Sequence, residues 1–67
     1  MTIPEKIKAA RQQAGLTQQQ LGEKAGYVGE NAQVTVRRWE SGRLDVPVRK
    51  LRTVSKLLKL PLEDLIP

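Results

Sequence analysis

LTQQQLGEKAGYVGENAQVTVRRWESG, residues 16–42, contains two helix starts and two helix stops, and its reading decides the fold. Thr17 and Gln20 have the spacing of a capping box, in which the hydroxyl accepts from a first-turn amide while the glutamine reaches back to the cap. Leu21 and Ala25, four apart, give the short helix that follows one apolar face, and Gly26 ends it. Gly22 and Ala25 are small enough to let another helix cross at close range. That helix is expected to begin near Asn31, whose side chain can cap it, and to run to Ser41 and Gly42. Ala32, Val36 and Trp39, spaced four and three, face inward, which leaves Gln33, Val34, Thr35, Arg37 and Arg38 outside.

Outward from this stretch the same punctuation repeats. Thr2-Ile3-Pro4-Glu5 offers another capping box, with proline where first-turn amides lack helical partners in any case. Ile7, Ala10 and Ala14 form the buried stripe of the first helix, Gly15 stops it, and Leu16 packs beneath the turn. Beyond Gly42, Leu44 is expected to fold back inward. Leu51, Val54, Leu57 and Leu58 then recur at helical spacing after Pro47, and Leu62 and Leu65 mark a short last helix after Pro61. Apolar residues recur at three and four rather than two, so the expectation is all-α: a compact bundle of five helical segments in a single domain, residues 1–67.

Composition bounds the chemistry. A chain of 67 residues has room for one small core, with correspondingly marginal stability. There is no cysteine and no histidine, which excludes a disulfide scaffold and the usual zinc sites. The acids Glu5, Glu23, Glu30, Glu40, Asp45, Glu63 and Asp64 are scattered, and neither a phosphate loop nor a nucleophile elbow occurs. No enzymatic activity, cofactor or metal is therefore expected. Met1-Thr2-Ile3-Pro4 runs straight into charged residues and no apolar run approaches a membrane span, so the chain reads as cytoplasmic, without a membrane partner. Twelve basic residues against seven acidic give a net charge of +5, which suits an anionic partner. The excess is concentrated between Arg37 and Lys59, where Arg37, Arg38, Arg43, Arg49, Lys50, Arg52, Lys56 and Lys59 stand against Glu40 and Asp45 alone.

Arg11, Leu16-Thr17-Gln18, Leu21, Ala25-Gly26, Val36, Trp39-Glu40-Ser41-Gly42, Pro47, Leu51, Leu58 and Leu62-Glu63-Asp64-Leu65 form a pattern that resembles the phage repressor and Cro-like helix-turn-helix family, with its lambda-repressor-like, XRE-type fold. The resemblance extends from Ile7 to Ile66. It implies a five-helix bundle that binds double-stranded operator DNA as a two-fold homodimer, with the third helix in the major groove. The implied function is sequence-specific transcriptional regulation, foremost as a phage- or plasmid-type repressor. The family pairs the residues matching Arg11 and Glu40 in a largely buried salt bridge that orients the first helix on the third. It uses the residue matching Gln18 on phosphate, and those matching Gln33, Val34 and Arg38 on bases.

The residue chemistry agrees with that division. A helix start such as Thr17-Gln18 gathers unpaired N–H groups and the positive end of the helix dipole, to which the glutamine amide adds a donor for a phosphate oxygen. Asn31 and Arg43 are further phosphate candidates. Gln33 can pair with an adenine edge, and Arg37 or Arg38 can grip guanine O6 and N7, each bidentate contact being worth about 1 to 3 kcal/mol of discrimination. Val34 or the methyl of Thr35 can pack on a thymine methyl. Arg37 is also placed for phosphate.

Three features depart from the family pattern. Tyr27-Val28-Gly29-Glu30-Asn31 is inserted between the second and third helices. It is expected to lengthen the third helix, to bring Tyr27 or Asn31 to a phosphate, or to stand as a neutral surface loop, the last being favoured. Lys59 occupies a corner where relatives commonly carry glycine, and Val48 a position where some carry a basic residue that reaches the minor groove, a contact either missing here or supplied by Arg49. Dimer contacts are expected near Leu60, Leu62, Leu65 and Ile66. The alternative from another class is an antitoxin-like or other protein-binding module, with a protein partner in place of DNA or beside it.

Overall fold

The computed structural model describes residues 1–66. Its elements are α1 (Ile3–Gln13), α2 (Gln18–Lys24), α3 (Glu30–Ser41), α4 (Val48–Leu58) and a closing 3-10 turn, Leu62–Leu65. No strand occurs among the described residues. The fold is all-α as expected, but the fifth segment is a 3-10 turn rather than an α-helix. Four residues after Pro61, closed by Asp64 N–H on the Pro61 carbonyl, complete one tight turn and no more.

Both capping boxes form. The Thr2 hydroxyl accepts from the Glu5 amide at 3.4 Å while the Glu5 carboxylate accepts from the Thr2 amide at 3.1 Å. The Thr2 amide, and after it the Thr2 hydroxyl, hold the Glu5 carboxyl below its ordinary pKa. Thr17 and Gln20 exchange the corresponding bonds at 3.0 and 2.9 Å. Ile7 and Ala10 of α1 are buried, whereas Ala14, expected in the same stripe, is exposed. It caps α1 as the chain turns away through Gly15, so the buried stripe ends one turn early.

A single core collects Ile7, Leu21, Val36, Trp39, Val54 and Leu65 from all five elements. α2 and α3 approach closely: a β-carbon on Gly22 would lie 2.6 Å from the Cα of Ala32. α4 packs on α1 and on the 3-10 turn, burying Val54 and Leu58 and half-burying Leu51 and Leu57. A long-range ion pair between Lys6 and Asp64, 3.6 Å, joins α1 to that turn. Lys59 ends α4 in the left-handed conformation, φ 56° and ψ 37°, where the resemblance called for glycine.

Leu44 does not fold inward. It is 42% exposed, because the amides of Arg43 and Leu44 both turn back onto the Arg38 carbonyl and keep the connection at the surface. It stands beside an apolar groove between the starts of α1 and α4 and the end of α3. Ile7, Trp39 and Leu51 line that groove, together with Val48, which is 85% exposed. Neither lysine nor arginine lines it.

Candidate nucleic-acid interface

α3 buries Ala32, Thr35, Val36 and Trp39, the i, i+3, i+4, i+7 set of one helical face. Gln33, Arg37 and Arg38 are exposed on the other face, and Val34 is half-buried. Thr35 was expected outside and is 8% exposed. Thr35 lies three residues after Ala32 and four before Trp39, so helical spacing itself places it within the buried arc.

The helix also starts earlier than expected. Gly29, not Asn31, is its cap, with φ 61° and ψ −149°, a backbone region essentially restricted to glycine. Asn31 is an exposed first-turn residue. The inserted segment therefore divides in two. Glu30 and Asn31 lengthen the N-terminal end of α3, and Gln19 ties α2 to the junction by donating to the Gly29 carbonyl at 3.0 Å. Tyr27 turns inward and meets Trp39 edge-on, with ring centroids 5.8 Å apart. The Lys50 ammonium sits 5.3 Å from the Tyr27 ring and donates to the Ala25 carbonyl at 2.7 Å. It thereby caps α2 and compensates the negative end of that helix. The favoured reading of the insertion as a neutral loop fails for Tyr27, whose ring has become part of the packing.

Glu40 organises the interface. Its carboxylate accepts from Arg11 Nε at 2.6 Å and from Arg11 Nη2 at 3.3 Å, with the two side chains 11% and 5% exposed. The remaining Arg11 nitrogen donates to the Leu16 carbonyl at 2.8 Å. Gln18 Nε2 donates to the same carboxylate at 3.2 Å. One buried acid thus joins α1, the first turn of α2 and the last turn of α3. Gln18 is half-buried in this arrangement, Thr17 is exposed, and Arg43 is exposed just past the end of α3. The structure brings Gln18 beside the end of α3 that carries Arg37 and Arg38 and is followed by Arg43. Asn31 and Gln33 lie toward the opposite end.

Sequence reasoning missed the roles of Lys50, Gln19 and the Gln18–Glu40 bond. Lys50 lies 25 residues from the carbonyl it caps, and no local pattern marks such a contact. The Gln18–Glu40 bond spans 22 residues and carries no local signal either, since the resemblance relates Glu40 only to Arg11 on the first helix.

No helix among the described residues is long and apolar enough to cross a membrane. The helix-turn-helix family model matches residues 7–65. Comparison with curated proteins and with solved structures returns no match.

Proposed function

Given that the chain belongs to the helix-turn-helix family and is a DNA-binding regulator, we propose that it recognises a palindromic operator as a homodimer and acts as a repressor of the phage or plasmid type. The observation that carries this reading is the polar outward face of α3, held in orientation by the Glu40 carboxylate. Gln33, Val34, Arg37 and Arg38 read base edges in the major groove. Thr17, Gln18, Asn31 and Arg43 take phosphates on either side and set the register. Thr35 supports the helix from beneath, since its side chain offers little surface to a base.

The two-fold partner is a second copy of this chain, because one half-site is too short to be selective. Leu65 is 4% exposed and belongs to the core, so it leaves the expected contact set. Leu62 and Ile66 remain exposed, and Val48, Leu44 and the groove beside them extend the surface. Two copies, each of charge +5, meet there away from their lysines and arginines, since the charged side chains along the groove are the acids Glu5, Glu40 and Asp45. Sedimentation of the protein with its operator should show two chains per duplex, and a monomer on the DNA would sink the dimer.

The deciding experiment is selection of bound duplexes from a random pool, then titration of the winner and a scrambled control at two salt concentrations. A palindromic winner bound at least about a thousandfold tighter than the control is expected. Absence of enrichment, with steep salt dependence on every duplex, would reduce the protein to a non-specific phosphate binder.

A further inference from the structure

α4 carries a charge pattern that the reading face of α3 does not account for. Its sequence, VRKLRTVSKLL, contains no acid. Arg49, Arg52 and Lys56 are exposed, and none forms an ion pair with any described residue. Lys50 is a separate case, because its ammonium is bound to the Ala25 carbonyl.

At 100° per residue, Arg49, Arg52 and Lys56 fall within one narrow stripe directly opposite Val54 and Leu58, which point into the core. Spacings of three and four make them successive like-charged neighbours, an arrangement that works against the helix. Arg49 also stands in its first turn, where the dipole disfavours cations. The stripe spans about 10 Å along the axis, the length of roughly three phosphates on one strand.

α3 and α4 contribute Val36, Trp39, Val54 and Leu58 to the same core. The α4 stripe, opposite Val54 and Leu58, is therefore a surface separate from the reading face of α3. We propose that this stripe is a second DNA-contacting surface, which takes backbone phosphates of the duplex flanking the operator. The proposal rests on the DNA-binding reading of the chain and assigns Arg49 to the flank, which leaves the relatives' minor-groove contact without a counterpart here. Charge without apolar anchors suits a phosphate backbone, which attracts cations through solvent, better than a protein, whose interface needs a desolvated centre. Flanking DNA rather than a separate duplex is the occupant, because a segment tethered to the bound operator is presented at high effective concentration.

The test uses the full chain and the selected operator in two duplexes, one ending at the site and one with about 30 base pairs added on each side. The salt dependence of binding is measured for the parent, for Arg49→Gln/Arg52→Gln/Lys56→Gln and for a charge control, Lys8→Gln/Lys24→Gln. On the long duplex the triple variant should lose up to about 2.7 from the logarithmic salt slope, about 0.9 for each phosphate contact. On the short duplex its slope should match the parent, and the charge control should change little on either. An equal loss on both lengths would make the stripe part of the operator contact and overturn the proposal. No loss on either would overturn it too, and would leave an acidic protein surface as the occupant. Circular dichroism reports whether the triple variant folds. If it does not, Arg52→Gln alone should lose about 0.9 on the long duplex only. If selection yields no operator, the same two lengths of random duplex are used: the base-reading proposal has then failed, while the length-dependent slope still decides the stripe.

Discussion

Gly22 and Ala32 lie backbone against backbone where α2 crosses α3, so that a β-carbon on residue 22 would meet the Cα of Ala32 at 2.6 Å. The neighbour is main chain and cannot swing aside. Gly22→Ala should therefore separate the two helices and cost about 1 to 3 kcal/mol, a large part of what a domain of this size holds. Thermal denaturation measures it, and a melting temperature equal to the parent's would show that the crossing can relax.

Breaking the tie at Glu40 should be more damaging. Glu40→Ala strands the Arg11 guanidinium and removes the acceptor of Gln18, and truncating one partner of a buried pair costs about 3 to 5 kcal/mol. Replacing both ends, Arg11→Met with Glu40→Leu, should cost much less, since no charge is then left without a partner. Urea titration of the two variants compares them. Equal destabilisation would mean that the stranded arginine finds water at no cost.

On DNA, Arg38→Ala should relax sequence preference, whereas Gln18→Ala should weaken binding to all duplexes alike. Gln18→Ala should also cost about 1 kcal/mol of stability through its lost bond to Glu40. Binding to a panel of operator variants separates the two behaviours. Equal loss of discrimination in both would refute the division between base and phosphate contacts.

Lys59 holds a left-handed backbone, φ 56°, that an L side chain adopts at a cost of about 1 kcal/mol. Lys59→Gly removes that strain and returns part of the gain as extra freedom in the unfolded chain. A net stabilisation of about 0.5 kcal/mol is expected, with a melting temperature some 2 to 4 °C higher. A lower melting temperature would mean that the lysine side chain contributes more than its backbone costs.

The Glu5 carboxyl should titrate below the ordinary glutamate range, because the Thr2 amide and hydroxyl both favour its charged form. Its contribution to α1 is then present above the unfolded value, about 4.3, and is lost as pH falls through the lower folded value. Thr2→Val removes the hydroxyl and keeps the amide, so it should return the pKa part of the way. A carbon-detected NMR titration of Glu5 reads the shift, and an unchanged midpoint in the variant would show that the hydroxyl plays no part.

Much of the fold was legible because the signals were local. Both capping boxes, the stops at Gly15, Gly26 and Gly42, and the inward set Ala32, Val36 and Trp39 stand where the sequence placed them. The errors fall where a distant element decides. Ala14 continues the stripe of Ile7 and Ala10 by period, yet it is exposed because the chain turns away at Gly15, whereas Thr35 is the exception, a residue whose burial the helical spacing from Ala32 and Trp39 already implied. Asn31 has good capping chemistry, but Gly29 adopts a backbone that Asn31 could not easily share, and the helix gains Glu30 and Asn31 in consequence. Leu65 and Leu62 look alike in sequence, and only the docking of the 3-10 turn buries the first and leaves the second outside. The Arg11–Glu40 pair was legible through the family pattern rather than through anything local to either residue.

Trp39 and Tyr27, the sole tryptophan and the sole tyrosine of a chain without phenylalanine, meet edge-on inside the fold. Every aromatic optical signal of the protein consequently originates at one point, the joint between α2 and α3. Tryptophan emission, and the near-ultraviolet dichroism of the coupled rings, report whether that joint is closed, free of background from any other aromatic group. The molecule contains its own probe of the corner on which its reading helix is mounted, and duplex binding that strains this corner will register there without a label.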